Sequence, residues 1–218
     1  MTKATKKLIA ISQRYDKVAG REEWRDALDT KWTELLEQIG FLPIVLPSHL
    51  TDVSGFLAEI GIDGLILSGG NDIGSAPFRD AIEKEALLYA DRHDLPVLGV
   101  CRGMQFLFHV SGGLLRDCSG HVATIHILNG QWAREHNFDE VNSYHNQAIL
   151  RVDCPNTFEV LATTEDNIVE AFRHKEKRWL GIMWHPEREN PFKASDLALI
   201  KAHFQNENFQ DKDLKSNG

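Results

Sequence analysis

The sequence predicts an α/β fold: a central, mostly parallel sheet flanked by helices, with a smaller, partly antiparallel sheet beside it. Through Val110, short apolar runs alternate with helix-spaced apolar stripes, the pattern of strands joined by helical crossovers. Glycines follow two of those runs directly, at Gly69-Gly70 and on either side of Cys101, where tight turns must leave a strand. Beyond Gly112-Gly113 the segments become shorter and more polar, which suits antiparallel pairing.

Leu8 to Ile11 reads as the first strand, leading into a loop with Gln13, Arg14 and Tyr15. A helix is expected from Glu22 to Ile39, because Trp24, Leu28, Trp32, Leu35, Leu36 and Ile39 fall on one stripe ended by Gly40. Trp24 and Trp32 are thereby expected in the core. Phe41 to Leu46 follows as a strand, Val53 to Ile60 as a short helix, and Asp63 to Leu67 as a third strand. Next come a helix from Arg79 to Arg92 and the strand beginning Pro96-Val97-Leu98. Met104, Phe106, Leu107 and Val110 then recur at helical spacing. Later strands are expected at Val141 to Tyr144, Glu159 to Thr163, Ile168 to Arg173 and Trp179 to Trp184, with a closing helix from Lys193 to Phe204. Residues 1–204 therefore read as one domain without repeat or linker, and 205–218 as a polar, disordered tail.

A chain of 218 residues suffices for one α/β core. A net charge of -8 with no clustered basic face argues against a nucleic-acid polymer as partner. The apolar run after the N-terminal lysines is only Leu8 to Ile11, too short for a signal-peptide core, and no segment approaches the roughly 20 apolar residues of a membrane span. Cys101, Cys118 and Cys154 give an odd count without metal-type spacing, so a reducing cytoplasm is the expected setting. His121, His126 and His136 lie in the irregular middle without zinc-ligand spacing. No metal and no cofactor are expected.

Two motifs carry chemistry. In Gly99-Val100-Cys101-Arg102-Gly103-Met104-Gln105 a thiol stands where a strand breaks into a helix, among amides that favour a thiolate and can bind an oxyanion. In Trp184-His185-Pro186-Glu187 a strand ends in an imidazole with a carboxylate two positions on, the order of a base and its orienting group. In open parallel sheets ligands bind beyond the carboxyl ends of the strands, so Gly69-Gly70 and Cys101 are expected to share one crevice. Gln105, one turn beyond Cys101, can face that crevice.

Together these motifs resemble the class I glutamine amidotransferase family, whose Gly-Xaa-Cys-Xaa-Gly-Xaa-Gln elbow and late His-Pro-Glu are both intact here. Leu67-Ser68-Gly69-Gly70-Asn71-Asp72-Ile73, Arg79-Asp80 with Glu83, and Ser143-Tyr144-His145-Asn146-Gln147 are similar to the γ-glutamyl-γ-aminobutyrate hydrolase branch. The resemblance covers about residues 7 to 204 and implies a flavodoxin-like fold. It implies a catalytic triad of Cys101, His185 and Glu187, with the backbone amides of Gly70 and Arg102 as oxyanion hole and hydrolysis through a glutamyl thioester. It places Gln105, Ser143, Tyr144, Gly69, Asn71 and Arg14 around the substrate. Asn71-Asp72 also reads as a cap for the following turn, and His145 fits a substrate neighbour or a structural hydrogen bonder equally well.

Gly74-Ser75-Ala76-Pro77 leads straight to the Arg79 helix where the branch has a longer loop, so the leaving group need not be γ-aminobutyrate. With Ser12-Gln13-Arg14, this compactness is similar to the γ-glutamyl-CDP-amidate hydrolases, which act in making phosphoramidate-decorated surface polysaccharide. That likeness implies a nucleotide-linked γ-glutamyl substrate, with Arg14, Arg79 and Arg102 near its pyrophosphate. The remaining readings are a γ-glutamyl-amine hydrolase, a glutaminase component passing ammonia to a partner synthetase, and a non-catalytic binding protein. A small γ-glutamyl molecule is the expected partner, and a homodimer stays open.

Overall fold

The structure is a computed structural model that describes residues 6–205. In chain order the elements begin with β1 (Leu8–Ser12), β2 (Arg14–Lys17), β3 (Trp24–Ala27), α1 (Lys31–Gln38), β4 (Leu42–Leu46), α2 (Val53–Ile60) and β5 (Gly64–Leu67). They continue with α3 (Pro77–Arg92), β6 (Val97–Val100), α4 (Arg102–Val110), β7 (Arg116–Asp117), β8 (Val122–Ile127) and α5 (Gln131–Glu135). The last are β9 (Glu140–Tyr144), β10 (Gln147–Ala148), β11 (Phe158–Thr163), β12 (Val169–His174), β13 (Trp179–Ile182) and α6 (Ala194–Gln205). Beyond Gln205, the tail expected from the sequence lies outside the described residues.

Seven strands form the central sheet in the order β11-β12-β13-β6-β5-β1-β4. β4, β1, β5, β6 and β13 run parallel, while β12 and β11 close one edge antiparallel. The chain visits the β4 edge from β1 and then returns to β1's other side for β5, a switch point of the flavodoxin-like kind. Period-two alternation divides the core between the two faces. Ile9, Ile11, Ile66, Val100 and Ile182 pack under α1 and α6, with Trp32, Leu36 and Phe204 filling that layer. Ala10, Leu65, Leu67 and Val97 face α2, α3 and α4, where Leu57, Ala86, Met104 and Phe108 meet them. Among the described residues no helix is long and apolar enough to cross a membrane.

The expected helix from Glu22 to Ile39 is corrected: it begins only at Lys31, and β2 and β3 form an antiparallel hairpin ahead of it. The Asp29 carboxylate accepts from the Lys31 amide and ends any upstream helical course. Trp32 is buried as expected, but Trp24 is half exposed and stacks on Tyr15 across the hairpin, ring centroids 4.8 Å apart. Cross-strand aromatic pairing wins over the helical stripe because Trp24 gains its partner without entering the core. The short β7–β10 and β8–β9 pairs also escape the period reading, since each strand is too short or too exposed to show alternation.

Candidate active site

Four strand ends converge on one edge of the sheet. Ser12 closes β1, Ser68-Gly69-Gly70 follows β5, Cys101 follows β6, and His185 lies just past β13. Ser12 Oγ accepts from the Ser68 amide at 3.0 Å and Ser68 Oγ donates to the Ser12 carbonyl at 2.7 Å, tying the first two together.

Cys101 sits at φ 51°, ψ -107°, a backbone conformation L residues rarely adopt. That strain turns the chain abruptly from β6 into α4 and lifts the thiol clear of the sheet. The flanking glycines make the turn possible. A Cβ on Gly99 would lie 2.7 Å from the Gly103 carbonyl, and one on Gly103 would run into the Leu67 carbonyl oxygen. Gly103→Ala is therefore expected to cost about 3 kcal/mol or more, read as a fall in the urea midpoint, because backbone cannot yield as a side chain can. Arg102 opens α4, so its amide has no intrahelical acceptor and is available to an anion.

His185 is buried and hydrogen-bonded to both Cys101 and Glu187, the latter with Nδ1 to Oε1 at 2.7 Å. Burial disfavours the charged ring, but the hydrogen bonds to Cys101 and Glu187 and their negative charge outweigh it and raise His185 to about 9. Sequence reasoning missed what fixes the histidine backbone. Asn142 accepts from the His185 amide at 2.9 Å through Oδ1 and donates Nδ2 to its carbonyl at 2.8 Å. No local pattern marks this clamp, because the two residues lie on different elements. Tyr144 meets the imidazole edge to face, centroids 5.8 Å apart, with the Arg188 guanidinium 4.2 Å over the phenol ring.

Gly69 and Gly70 bring backbone close to the thiol and imidazole. A Cβ on Gly69 would stand 2.7 Å from His185 Cε1 and 3.7 Å from the Cys101 Cβ, and Gly70 has φ +128°. Arg79 Nη2 donates to the Ser68 carbonyl at 2.6 Å and the Gly69 carbonyl at 3.0 Å, fixing this turn. A pocket of about 280 Å³ opens here, its lining including Arg14, Asp16, Gly70, His185, Glu187 and Arg188. The β2–β3 hairpin supplies one wall.

Several sequence expectations change in detail. Arg79 and Arg102 do not stand at the mouth. Both are buried, Arg79 pairing with Glu83 at 2.9 Å and Arg102 with Glu83 and Asp80. Arg14 does line the pocket, joined by Arg188 from beyond the histidine. The Asn71 side chain is committed to the hairpin, accepting from the Tyr15 amide at 2.9 Å and donating to its carbonyl at 3.1 Å. Ser143 Oγ is turned away from the crevice, donating to the His121 carbonyl at 2.7 Å. Gln105 is buried and donates Nε2 to the Gln147 carbonyl at 2.9 Å, so its oxygen is what remains for a ligand. Burial, with Asp166 and Glu170 nearby, pushes the Cys118 thiol up to about 11, making it a poor nucleophile.

The family pattern described as Peptidase C26 matches residues 7–187. A γ-glutamyl-CDP-amidate hydrolase from Campylobacter jejuni is 32% identical over 90% of this chain and 96% of its own. The glutamine-hydrolysing component of a GMP synthase from Methanococcus maripaludis is 33% identical over 67% of this chain and 75% of its own. Among solved structures, a Thermoplasma acidophilum protein assigned to the corresponding GMP synthase component superposes with a TM-score of 0.70 at 21% identity, covering 92% of this chain and 93% of that one. A glutamine amidotransferase from Thermotoga maritima gives 0.63 at 15% identity over 90% and 83%. At such identities the structures establish the shared fold, with its mostly parallel sheet.

Proposed function

Because the chain belongs to the Peptidase C26 family, of the class I glutamine amidotransferase type, we propose that it is a cysteine-dependent hydrolase cleaving the amide bond of a small γ-glutamyl conjugate. One observation carries the reading: a strained thiol at a strand–helix elbow is hydrogen-bonded to an imidazole that a buried carboxylate braces at 2.7 Å.

In the proposed reaction the Cys101 sulfur, its proton passed to His185, attacks the γ-carbonyl carbon. The carbonyl oxygen becomes an oxyanion within reach of the Gly70 and Arg102 amides. Collapse breaks the C–N bond, His185 returns the proton to the leaving nitrogen, and a glutamyl thioester stays on Cys101. His185 then takes a proton from water, whose oxygen attacks the thioester; glutamate leaves and the thiol is restored. Glu187 holds the ring so that Nε2 faces the sulfur throughout. The Gln105 oxygen and the backbone of Ser143 and Tyr144 hold the amino-acid end of the glutamyl group.

The leaving group favoured is a nucleoside diphosphate amidate, so that γ-glutamyl-CDP-amidate would give glutamate and cytidine diphosphoramidate. Arg14 and Arg188 at the pocket support this, since guanidinium pairs suit pyrophosphate oxygens, and so does the Campylobacter relative. Arg14→Ala is expected to lower kcat/KM on the nucleotide amidate about 10- to 100-fold, with little change on a simple γ-glutamyl amine. Equal loss on both substrates would remove the nucleotide assignment. The likeness to the glutamine-hydrolysing part of GMP synthase supports a second reading, a glutaminase arm serving a synthetase. Glutamine turnover that stays negligible until a synthetase is added would favour it; turnover of γ-glutamyl conjugates by the chain alone would exclude it.

A further inference from the structure

Away from the elbow, on the opposite side of the Ser143–Gln147 segment, three imidazoles and one carboxylate meet in the interior. His121, His126, His145 and Glu170 are all buried, and each places a ligating atom within 4.8 Å of the other three. Their hydrogen bonds show which atoms carry lone pairs. His145 Nδ1 lies 3.0 Å from the Gln147 carbonyl oxygen, which can only accept, so Nδ1 bears the hydrogen and Nε2 is bare. That bare Nε2 faces Glu170 Oε1 at 3.4 Å, one electron-rich atom against another. His121 Nε2 donates to Asp166 Oδ2 at 3.1 Å, which leaves Nδ1 bare as well. His121 Nδ1, His145 Nε2 and Glu170 Oε2 have no hydrogen-bond partner among the described residues. Unmatched acceptors facing one another in the interior are costly unless a cation lies between them.

We propose that His121, His126, His145 and Glu170 bind a divalent transition-metal ion of the zinc type. Three imidazole nitrogens and one carboxylate oxygen suit zinc, and four protein ligands make a closed, structural site. The outer contacts fit as well: Asp166 orients His121 and the Gln147 carbonyl orients His145, as partners of metal-bound imidazoles do. Burial and the neighbouring imidazoles keep His121 below the usual histidine range. Burial pushes the Glu170 carboxyl up, but hydrogen bonds from His126 and His145 prevail and hold it below its usual range, so the ligands stand ready in their metal-binding forms. A surface pocket bordered by Ser119, His121, His126 and Asp166 offers the ion a way in.

The ion would pin three stretches of chain together: the β8 strand, the residues following β9, and β12 of the central sheet. The Gln147 carbonyl that orients His145 also accepts from Gln105 on α4, so the metal fixes the floor behind the elbow. The sequence hides this, since the ligands are spread from residue 121 to 170 with no zinc-finger spacing. His136, the other histidine of that region, takes no part and stacks on Trp132 instead.

Tag-free full-length protein, stripped with a chelator and reloaded with Zn²⁺ or Co²⁺, tests the site directly. One ion per chain is expected to survive gel filtration, and the cobalt form to show the visible d–d absorption of a tetrahedral centre. Glu170→Gln should abolish retention. Asp166→Asn, a mostly exposed side chain whose loss leaves the fold intact, should weaken binding about 10- to 100-fold. Cys101→Ala should bind as the parent does. Failure of the parent to retain either ion, or retention unchanged in both Glu170→Gln and Asp166→Asn, overturns the proposal.

Discussion

Replacing Cys101 with alanine is expected to lower γ-glutamyl hydrolysis by about four orders of magnitude or more, leaving only what binding and the oxyanion donors provide. The loss should fall on kcat, because alanine removes the atom that forms the thioester and leaves the glutamyl pocket unchanged. Parent enzyme quenched during turnover should carry a glutamyl adduct on the peptide containing Cys101, and the alanine variant none. A companion variant separates chemistry from strain. At φ 51°, ψ -107° the chain occupies the mirror image of an extended conformation, accessible to glycine and costly to anything with a Cβ. Cys101→Gly should therefore be more stable than Cys101→Ala by about 1–3 kcal/mol in urea, though both are inactive. A variant that hydrolyses substrate without a thiol, or a glycine form no more stable than the alanine form, would show that the elbow does neither job.

The elbow was readable because its determinants are local. A strand, two glycines and a helical stripe lie within a dozen residues, and the steric reason for each glycine is backbone a few positions away or on the adjacent strand. The same holds for His185 and Glu187, which meet two positions apart, and for α2, whose Val53–Ile60 bounds match the expectation. What escaped was set by partners distant in sequence. Trp24 fits a helical stripe with Leu28 and Trp32, and only its pairing with Tyr15 across a hairpin places it elsewhere. Arg102 reads as a cation at a pocket mouth until Asp80 and Glu83 of α3 are seen to enclose it. The Arg79–Glu83 contact at i,i+4 was the one available hint that these arginines serve the scaffold. Asn142 leaves no such trace: nothing in Glu140–Tyr144 announces that one amide will hold both backbone groups of His185.

Glu187→Gln is expected to cut kcat/KM about 10³- to 10⁴-fold near neutral pH and to move the alkaline limb of the profile toward acid. Glutamine can donate as well as accept, so it no longer dictates which imidazole nitrogen carries the proton facing away from sulfur. The charge matters independently. His185 reaches about 9 because its contacts to Cys101 and Glu187 overcome burial; with the Glu187 charge gone, burial and the Cys101 contact remain and the ring gives up its proton at lower pH. Parent activity should thus decline as pH rises through about 9, when His185 can no longer protonate the leaving nitrogen, and the variant should decline earlier. Folding stability must follow the same linkage. The folded ring holds its proton more tightly than the unfolded chain's histidine at 6.5, so this stabilisation is complete below 6.5 and is lost as pH rises through about 9. Urea titrations across that window should show a decline in the parent and a flatter curve in Glu187→Gln. Superimposable curves would mean that Glu187 does not govern the charge on His185, and the triad would have to be redrawn without it.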